Sequence, residues 1–179
     1  SSPVPVNLEC SINPDIIEIV CELKPHRATL VPENCAEVTT EGRLDVIGKS
    51  DAISDVIERL CAAGIEVSLF IDPAINAVEQ SHALDADLVE LHTGHFANIY
   101  AMLNSALPHS HHTIKELELP RDELKTKLEA SIDAINSSAY HAKSIGLEVA
   151  AGHGLNYQNV TLMTDIEAIT ELNIGQSII

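Results

Sequence analysis

The stretch Ile65-Glu66-Val67-Ser68-Leu69-Phe70-Ile71-Asp72, read together with Leu88-Val89-Glu90-Leu91-His92, decides the fold. In an extended chain successive side chains point to opposite faces. Ile65, Val67, Leu69 and Ile71 therefore share one face, and Glu66, Ser68 and Phe70 share the other. Leu88, Glu90 and His92 likewise oppose Val89 and Leu91. Central strands of an open doubly wound sheet are covered by helices on both faces and read as continuous apolar runs. One apolar face and one more polar face suit a closed barrel instead, with helices outside and a lumen inside.

Outward from these two strands the apolar period switches repeatedly between 2 and 3.6 residues. Further strands are predicted at residues 4–9, 27–31, 147–151 and 171–174, with helices between them. Asn13-Pro14 supplies an N-cap and a proline at the first helical position, followed by Ile16, Ile17, Val20 and Leu23 on one face. Ser50 is the predicted cap of a second helix, with Ile53, Val56, Ile57, Leu60 and Cys61 on its stripe and Gly64 at its end. Pro73 opens a third helix, and residues 121–145 make a long one stopped by Gly146. The junction Ala63-Gly64-Ile65-Glu66-Val67 recurs as Ile145-Gly146-Leu147-Glu148-Val149, the mark of a repeated unit. Strict alternation predicts parallel strands joined by right-handed crossovers. A barrel of this class has eight strands, and six are readable. The expectation is one α/β domain over residues 1–179, an incomplete (β/α)8 TIM barrel lacking two N-terminal strands and the C-terminal helix. Residues 96–120 fit the rhythm badly and are predicted to be an inserted loop, a lid or an oligomer contact.

Bulk properties narrow the partners. A 179-residue chain with 45% hydrophobic and 21% charged residues supports one well-cored domain. No apolar run reaches membrane-spanning length. The start, Ser1-Ser2-Pro3-Val4-Pro5, lacks the pattern of a secretory signal, so a cytoplasmic protein is expected. A formal charge of −17 argues against nucleic acid or an anionic membrane as partner. It leaves phosphorylated small molecules open, because backbone N–H groups and helix N-termini hold phosphate without cationic side chains. Cys10, Cys21, Cys35 and Cys61 show no metal-ligand spacing and are expected to be buried free thiols.

In barrels of this kind the chemistry sits at the C-terminal ends of the strands. Glu9, Asp72, Glu90, His92, His153 and Asn173 fall there. Asp72, before Pro73, reads more simply as a turn residue. His92 could equally orient a loop, and Asn173 could pair backbone groups. Glu9 and Glu90 are harder to explain away, since an inward carboxylate is costly unless it is paired or functional. His153 stands in Ala151-Gly152-His153-Gly154-Leu155, where flanking glycines permit close ligand approach. Histidine titrates near neutrality and can exchange protons during turnover. Gly175 follows the last strand, in the usual phosphate-binding region of this fold. His109, His111 and His112 are read as a solvated polar loop, not as metal ligands. No GxSxG motif or Cys–His pairing suggests a nucleophilic enzyme.

Several segments in order resemble the pyridoxine 5′-phosphate synthase family. They are Val6-Asn7-Leu8-Glu9, Lys24-Pro25-His26, Leu30-Val31-Pro32-Glu33, Val38-Thr39-Thr40-Glu41-Gly42, Leu44-Asp45-Val46 and Val67-Ser68-Leu69-Phe70-Ile71-Asp72. Glu90-Leu91-His92-Thr93-Gly94, Ala151-Gly152-His153-Gly154-Leu155 and Glu171-Leu172-Asn173-Ile174-Gly175 complete the set. The resemblance implies a ring-closing synthase of the transferase type in vitamin B6 biosynthesis. It would condense 1-deoxy-D-xylulose 5-phosphate with 3-amino-2-oxopropyl phosphate by acid–base steps, with no redox cofactor and no metal. It implies Glu9 as general base, His153 as proton donor and Glu90 as stabiliser of transition-state charge. Thr39 would contact the deoxyxylulose phosphate, while Gly154, Gly175 and Gln176 would hold the second phosphate. A homo-oligomer is also implied.

Three departures accompany the resemblance. The family's N-terminal Asn-x-Asp-His segment, phosphate-binding arginines and second catalytic histidine have no counterpart in this sequence. Gln176 stands where histidine is common, and residues 96–120 are longer than the usual connection. Two other readings remain at this stage. Another phosphosugar-handling barrel is one, although an aldolase would want a lysine at a strand end, and the lysines fall in helices or loops. A non-catalytic phosphate-binding remnant is the other.

Overall fold

A computed structural model describes residues 3–33, 43–109, 111–175 and 177. The strands are β1 (Asn7–Cys10), β2 (Arg27–Leu30), β3 (Glu66–Ile71), β4 (Leu88–His92), β5 (Glu148–Gly152) and β6 (Glu171–Asn173). All neighbours pair in parallel, and their order across the sheet is their order in the chain. A doubly wound sheet reverses its order at a switch point; this one never does. The sheet also curls. Arg27 on β2 donates two hydrogen bonds of 2.8 Å to Glu171 on β6, and its Nε donates to Glu66 on β3. In a flat sheet β2 and β6 would stand roughly 19 Å apart at the usual strand spacing. One arginine bridges them because the six strands form a half-barrel whose inner faces look at each other.

The alternating pattern is the cause. Val67, Leu69, Ile71, Val89, Leu91 and Val149 point outward into the main core, against the helices. Those helices are α1 (Pro14–Leu23), α2 (Ser50–Ala62), α3 (Ile75–Ala83), α4 (Gly94–Asn104), α5 (Arg121–Ser144) and the short α6 (Thr161–Thr164). Helix α1 packs on α2, and α5 packs on α3 and α4, so the helices line the outside of the curl. Asn13 caps α1 as expected, its side chain accepting from the Asp15 N–H at 3.0 Å. Gly64 (φ 76°) and Gly146 (φ 98°) close the two repeated junctions in the left-handed region, where only glycine is unstrained.

Four expectations are corrected. Residues 96–120 are not one loop: α4 takes residues 94–104, and two 3-10 turns follow at Leu107–His109 and Lys115–Leu117. Ile99, Met102, Leu103, Leu117 and Leu124 make a second small core there. Ser50 is not a cap. The cap position is Lys49, and the Ser50 hydroxyl accepts from Gln80 Nε2 at 3.1 Å. On α1 only Ile17 and Val20 are buried, whereas Ile16 and Leu23 face outward. Of the cysteines, Cys10 is buried, Cys21 half-buried and Cys61 exposed; Cys35 lies outside the described residues. Burial, with Cys21 nearby, pushes the Cys10 thiol up to about 11, which leaves it inert at neutral pH.

Candidate active site

Strand register places the inner-face residues in rows. Phe70, Glu90, Ala150 and Glu171 form one row; His92, Gly152 and Asn173 form the next toward the C-terminal mouth. Glu90 is 3% exposed, so its carboxylate has left bulk water. Its Oε2 accepts a 2.7 Å hydrogen bond from Asn173 Nδ2. Burial pushes the Glu90 carboxyl up to about 7; the Asn173 bond opposes the rise, and the charges of Glu9 and Glu171 add to it. A carboxyl tuned to neutrality inside a lumen is suited to chemistry at physiological pH.

One strand end further on, two imidazoles meet. His92 and His153 stack with ring centroids 4.8 Å apart, and Phe70 meets His92 edge-on at 5.0 Å. His92 is buried, and its Nε2 has no hydrogen-bond partner among the described residues. Burial, then electrostatic repulsion from the neighbouring His153, holds the His92 imidazole down at about 4, so it is neutral at pH 7. His153 is exposed at the mouth. Its backbone sits at φ 78° and that of Gly154 at φ 80°, two left-handed residues in succession. A methyl group at Gly154 would come within 2.7 Å of the Ala97 side chain on α4. That close approach is why glycine follows the histidine.

Neighbouring side chains hold this turn. The Thr93 hydroxyl lies 2.7 Å from the carbonyls of both Gly152 and His153 and donates to them. Asn159 Nδ2 donates to the Gly154 carbonyl at 3.1 Å, and its Oδ1 accepts from the Asn156 N–H at 2.9 Å. The Ser177 hydroxyl donates to the Leu155 carbonyl at 3.1 Å, which ties the segment after β6 to the turn after β5. Gly154 and Gly175 thus belong to adjoining loops at one end of the barrel. A Cβ at Gly175 would meet nothing within 4 Å, so its backbone faces open space at the mouth.

The structure thereby brings together Glu90, His153, Gly154 and Gly175. Glu9 lies on the inner face of β1 but is exposed, so the burial argument applies to Glu90 and not to it. Glu9 still acts on Glu90 through its charge. Thr39 and Gln176 lie outside the described residues. Asp72 is paired with Arg43 at 2.6 Å, and its carbonyl accepts from the Ala74 N–H at 2.8 Å, as a turn residue before α3 should. Among the described residues the Asn173 side chain pairs no backbone group; it donates to Glu90. Sequence reasoning missed Thr93, Asn159 and Arg27. Nothing in their spacing sets them apart, because each acts on a group far away in the chain or on a backbone carbonyl. Among the described residues no group of three or more His, Cys, Asp or Glu side chains is placed to hold a metal ion.

Comparison with known proteins identifies the relatives of this arrangement. The family described as pyridoxal phosphate biosynthesis protein PdxJ matches residues 1–179. The chain belongs to this family. The pyridoxine 5′-phosphate synthase of Sulfurimonas denitrificans is 67% identical over 178 residues, which cover 99% of this chain and 68% of the relative. Proteins of the same name from Aliarcobacter butzleri and Wolinella succinogenes are 64% and 50% identical, each with 68% of its length covered. The chain thus spans about two thirds of the length of these relatives. Membership makes it an enzyme of vitamin B6 biosynthesis. Among the described residues no helix is long and apolar enough to cross a membrane. The half-barrel of this PdxJ-family chain carries its buried glutamate, its histidine turn and its glycine loops toward one mouth.

Proposed function

We propose that the enzyme closes the pyridine ring of pyridoxine 5′-phosphate from 1-deoxy-D-xylulose 5-phosphate and 3-amino-2-oxopropyl phosphate, releasing inorganic phosphate and water. The observation that carries this reading is the buried Glu90 carboxyl, held near neutral pKa on the same lumen face as Glu9 and one row below the His153 turn. The chemistry requires an imine between amine and ketone, an elimination and an aldol-type closure. Each step moves protons, and the imine passes through cationic forms. Glu9, exposed at the edge strand, is the base that removes a proton from substrate carbon. His153 donates a proton to a departing oxygen. Glu90, ionised in a site of low dielectric, stabilises positive charge that develops on nitrogen. Gly154, Gly175 and Gln176 hold the phosphate of the aminoketone through backbone N–H groups, and Thr39 contacts the deoxyxylulose phosphate. Small phosphorylated substrates are therefore the partners, and self-association of the chain is part of the same proposal.

His153→Asn tests the reading. It keeps approximate size and polarity but removes the titrating ring. Turnover of the two substrates to pyridoxine 5′-phosphate is expected to fall by about 10²–10⁴-fold, the usual range for a lost general acid. KM should change by no more than about threefold, since the lost interaction belongs to the transition state. Turnover within about threefold of wild type across the pH range would remove His153 from the chemistry.

A further inference from the structure

The Glu90 carboxylate occupies a socket made by two residues for which the proposed chemistry assigns no contact with substrate. Glu90 is on β4 and Asn173 is on β6, with β5 between them. Two strand spacings, roughly 10 Å, separate their backbones. The register places Gly152 of β5 beside Asn173 and beside His92, so a glycine lies under the line from Glu90 to Asn173. A methyl group at Gly152 would overlap Oε1 of Glu90 and would stand 3.1 Å from the Asn173 Cβ. The carboxylate therefore crosses β5 where that strand has no side chain, and at the far side Oε2 receives the Asn173 amide at 2.7 Å.

We infer that Asn173 is a positioning residue for Glu90, holding its carboxylate ionised and aimed into the lumen across the slot that Gly152 leaves open. The inference rests on the reading of Glu90 as the charge-stabilising group. An N–H donor to a buried carboxylate favours its charged form. Without that donor the same carboxylate would be buried unpaired and would bind a proton more readily. The charge of Arg27 also favours ionised Glu90, but its guanidinium is already bound to Glu66 and Glu171. The asparagine amide is thus the group that sets how much of Glu90 is charged at neutral pH.

Two substitutions separate this role from simple packing. Asn173→Ala removes the donor, whereas Asn173→Asp keeps the volume and replaces the donor with a second carboxylate. The ionisation of Glu90 is read directly, without substrate, by titrating 13C-labelled glutamate carboxyls, with the Glu90 signal assigned by its loss in Glu90→Gln. In Asn173→Ala the midpoint is expected to rise by about one pH unit, a tenfold change in the ionisation constant. In Asn173→Asp it should rise further, because like charges oppose each other's ionisation. The acid limb of the turnover–pH profile should move by the same amount, with KM within about twofold of wild type. An unmoved midpoint in both variants would overturn the inference. So would a uniform loss of turnover with an unshifted limb, the signature of a packing defect. Wild-type turnover by Glu90→Gln would instead overturn the catalytic reading of Glu90, and the titration would still report whether Asn173 holds the carboxylate.

Discussion

In the proposed chemistry Glu90 sets function and stability in opposition at a single residue. Its carboxyl has an ordinary value of 4.5 and is pushed up to about 7 in the fold, chiefly by burial. Below pH 4.5 both folded and unfolded chains carry the proton, and the group has no effect on stability. Between 4.5 and 7 the folded chain keeps a proton that the unfolded chain has lost, so stability falls as pH rises. Above 7 the loss is complete and amounts to on the order of 3 kcal/mol. Glu90→Gln removes this penalty while its amide oxygen can still accept from Asn173. The variant should therefore unfold at higher denaturant concentration than wild type at pH 8 and at nearly the same concentration at pH 4.5. Equal midpoints at both pH values would show that the carboxyl is not held at a raised pKa. An inward carboxylate is legible in the sequence from the alternation of Leu88-Val89-Glu90-Leu91-His92, and Glu90 has the burial from which the proposed role is argued. For Glu9 the same inference has no footing, because its strand is at an edge and its side chain is exposed. Burial depends on what lies beside a strand, and alternation within one strand does not report that.

At the scale of elements, the His153 turn is a property of two strand ends together. Thr93 follows β4, and its hydroxyl donates to the Gly152 and His153 carbonyls at the end of β5, while its own N–H donates to Gly152 at 2.8 Å. The hydroxyl is fully buried. Thr93→Val keeps the shape and leaves the His153 carbonyl without this donor, at an expected stability loss of about 1–3 kcal/mol. It should also lower turnover, because the left-handed backbone at His153 loses the partner that orients it. Chemical denaturation and turnover of the variant check both, and an unchanged denaturation midpoint would show that the bond contributes nothing. Legibility varied among elements for definite reasons. The Gly64 and Gly146 junctions are readable because a left-handed residue after a helix favours glycine, whereas α1 and α3 are followed by Lys24 and Asp85 in that region and carry no such signal. Helix α4 is hidden within residues 96–120 because Gly94, Phe96, Ala97, Ile99, Met102 and Leu103 are all buried. A helix covered on several sides shows no single stripe. The Ser50 cap is misread because the turn at residues 45–49, closed by the Gly48 N–H on Asp45 Oδ1 at 2.8 Å, delivers the chain into the helix one residue earlier. The outward Ile16 and Leu23 follow from α1 meeting a neighbour helix, α2, along a narrow line.

For the molecule as a whole, the half-barrel geometry sets an association problem. Among the described residues β1 and β6 each have a strand neighbour on one side only. A strand edge offers a row of unpaired N–H and C=O groups to another chain. Apolar side chains are exposed close by: Val4 and Val6 lead into β1, and Ile16, Ile19 and Leu23 lie on the outer flank of α1. Against this stands a formal charge of −17, which repels like molecules over about 10 Å at moderate salt. The two edge strands are short, four and three residues, which weakens edge pairing but does not abolish it. The 179-residue chain in solution is therefore expected to self-associate, and to do so more strongly as salt rises from about 0.05 to 0.5 M, because screening removes the repulsion and leaves edge and apolar contacts almost untouched. Association through ion pairs would show the opposite dependence. Sedimentation velocity across concentration and ionic strength distinguishes the two. A chain that stays monomeric at every salt concentration and unfolds in one sharp transition would show that its edges are already satisfied. A lysine placed at the start of the β1 edge, as in Val6→Lys at a position exposed in the fold, should reduce the salt-induced association if β1 is the edge that pairs, since a charge there must be desolvated when another strand docks.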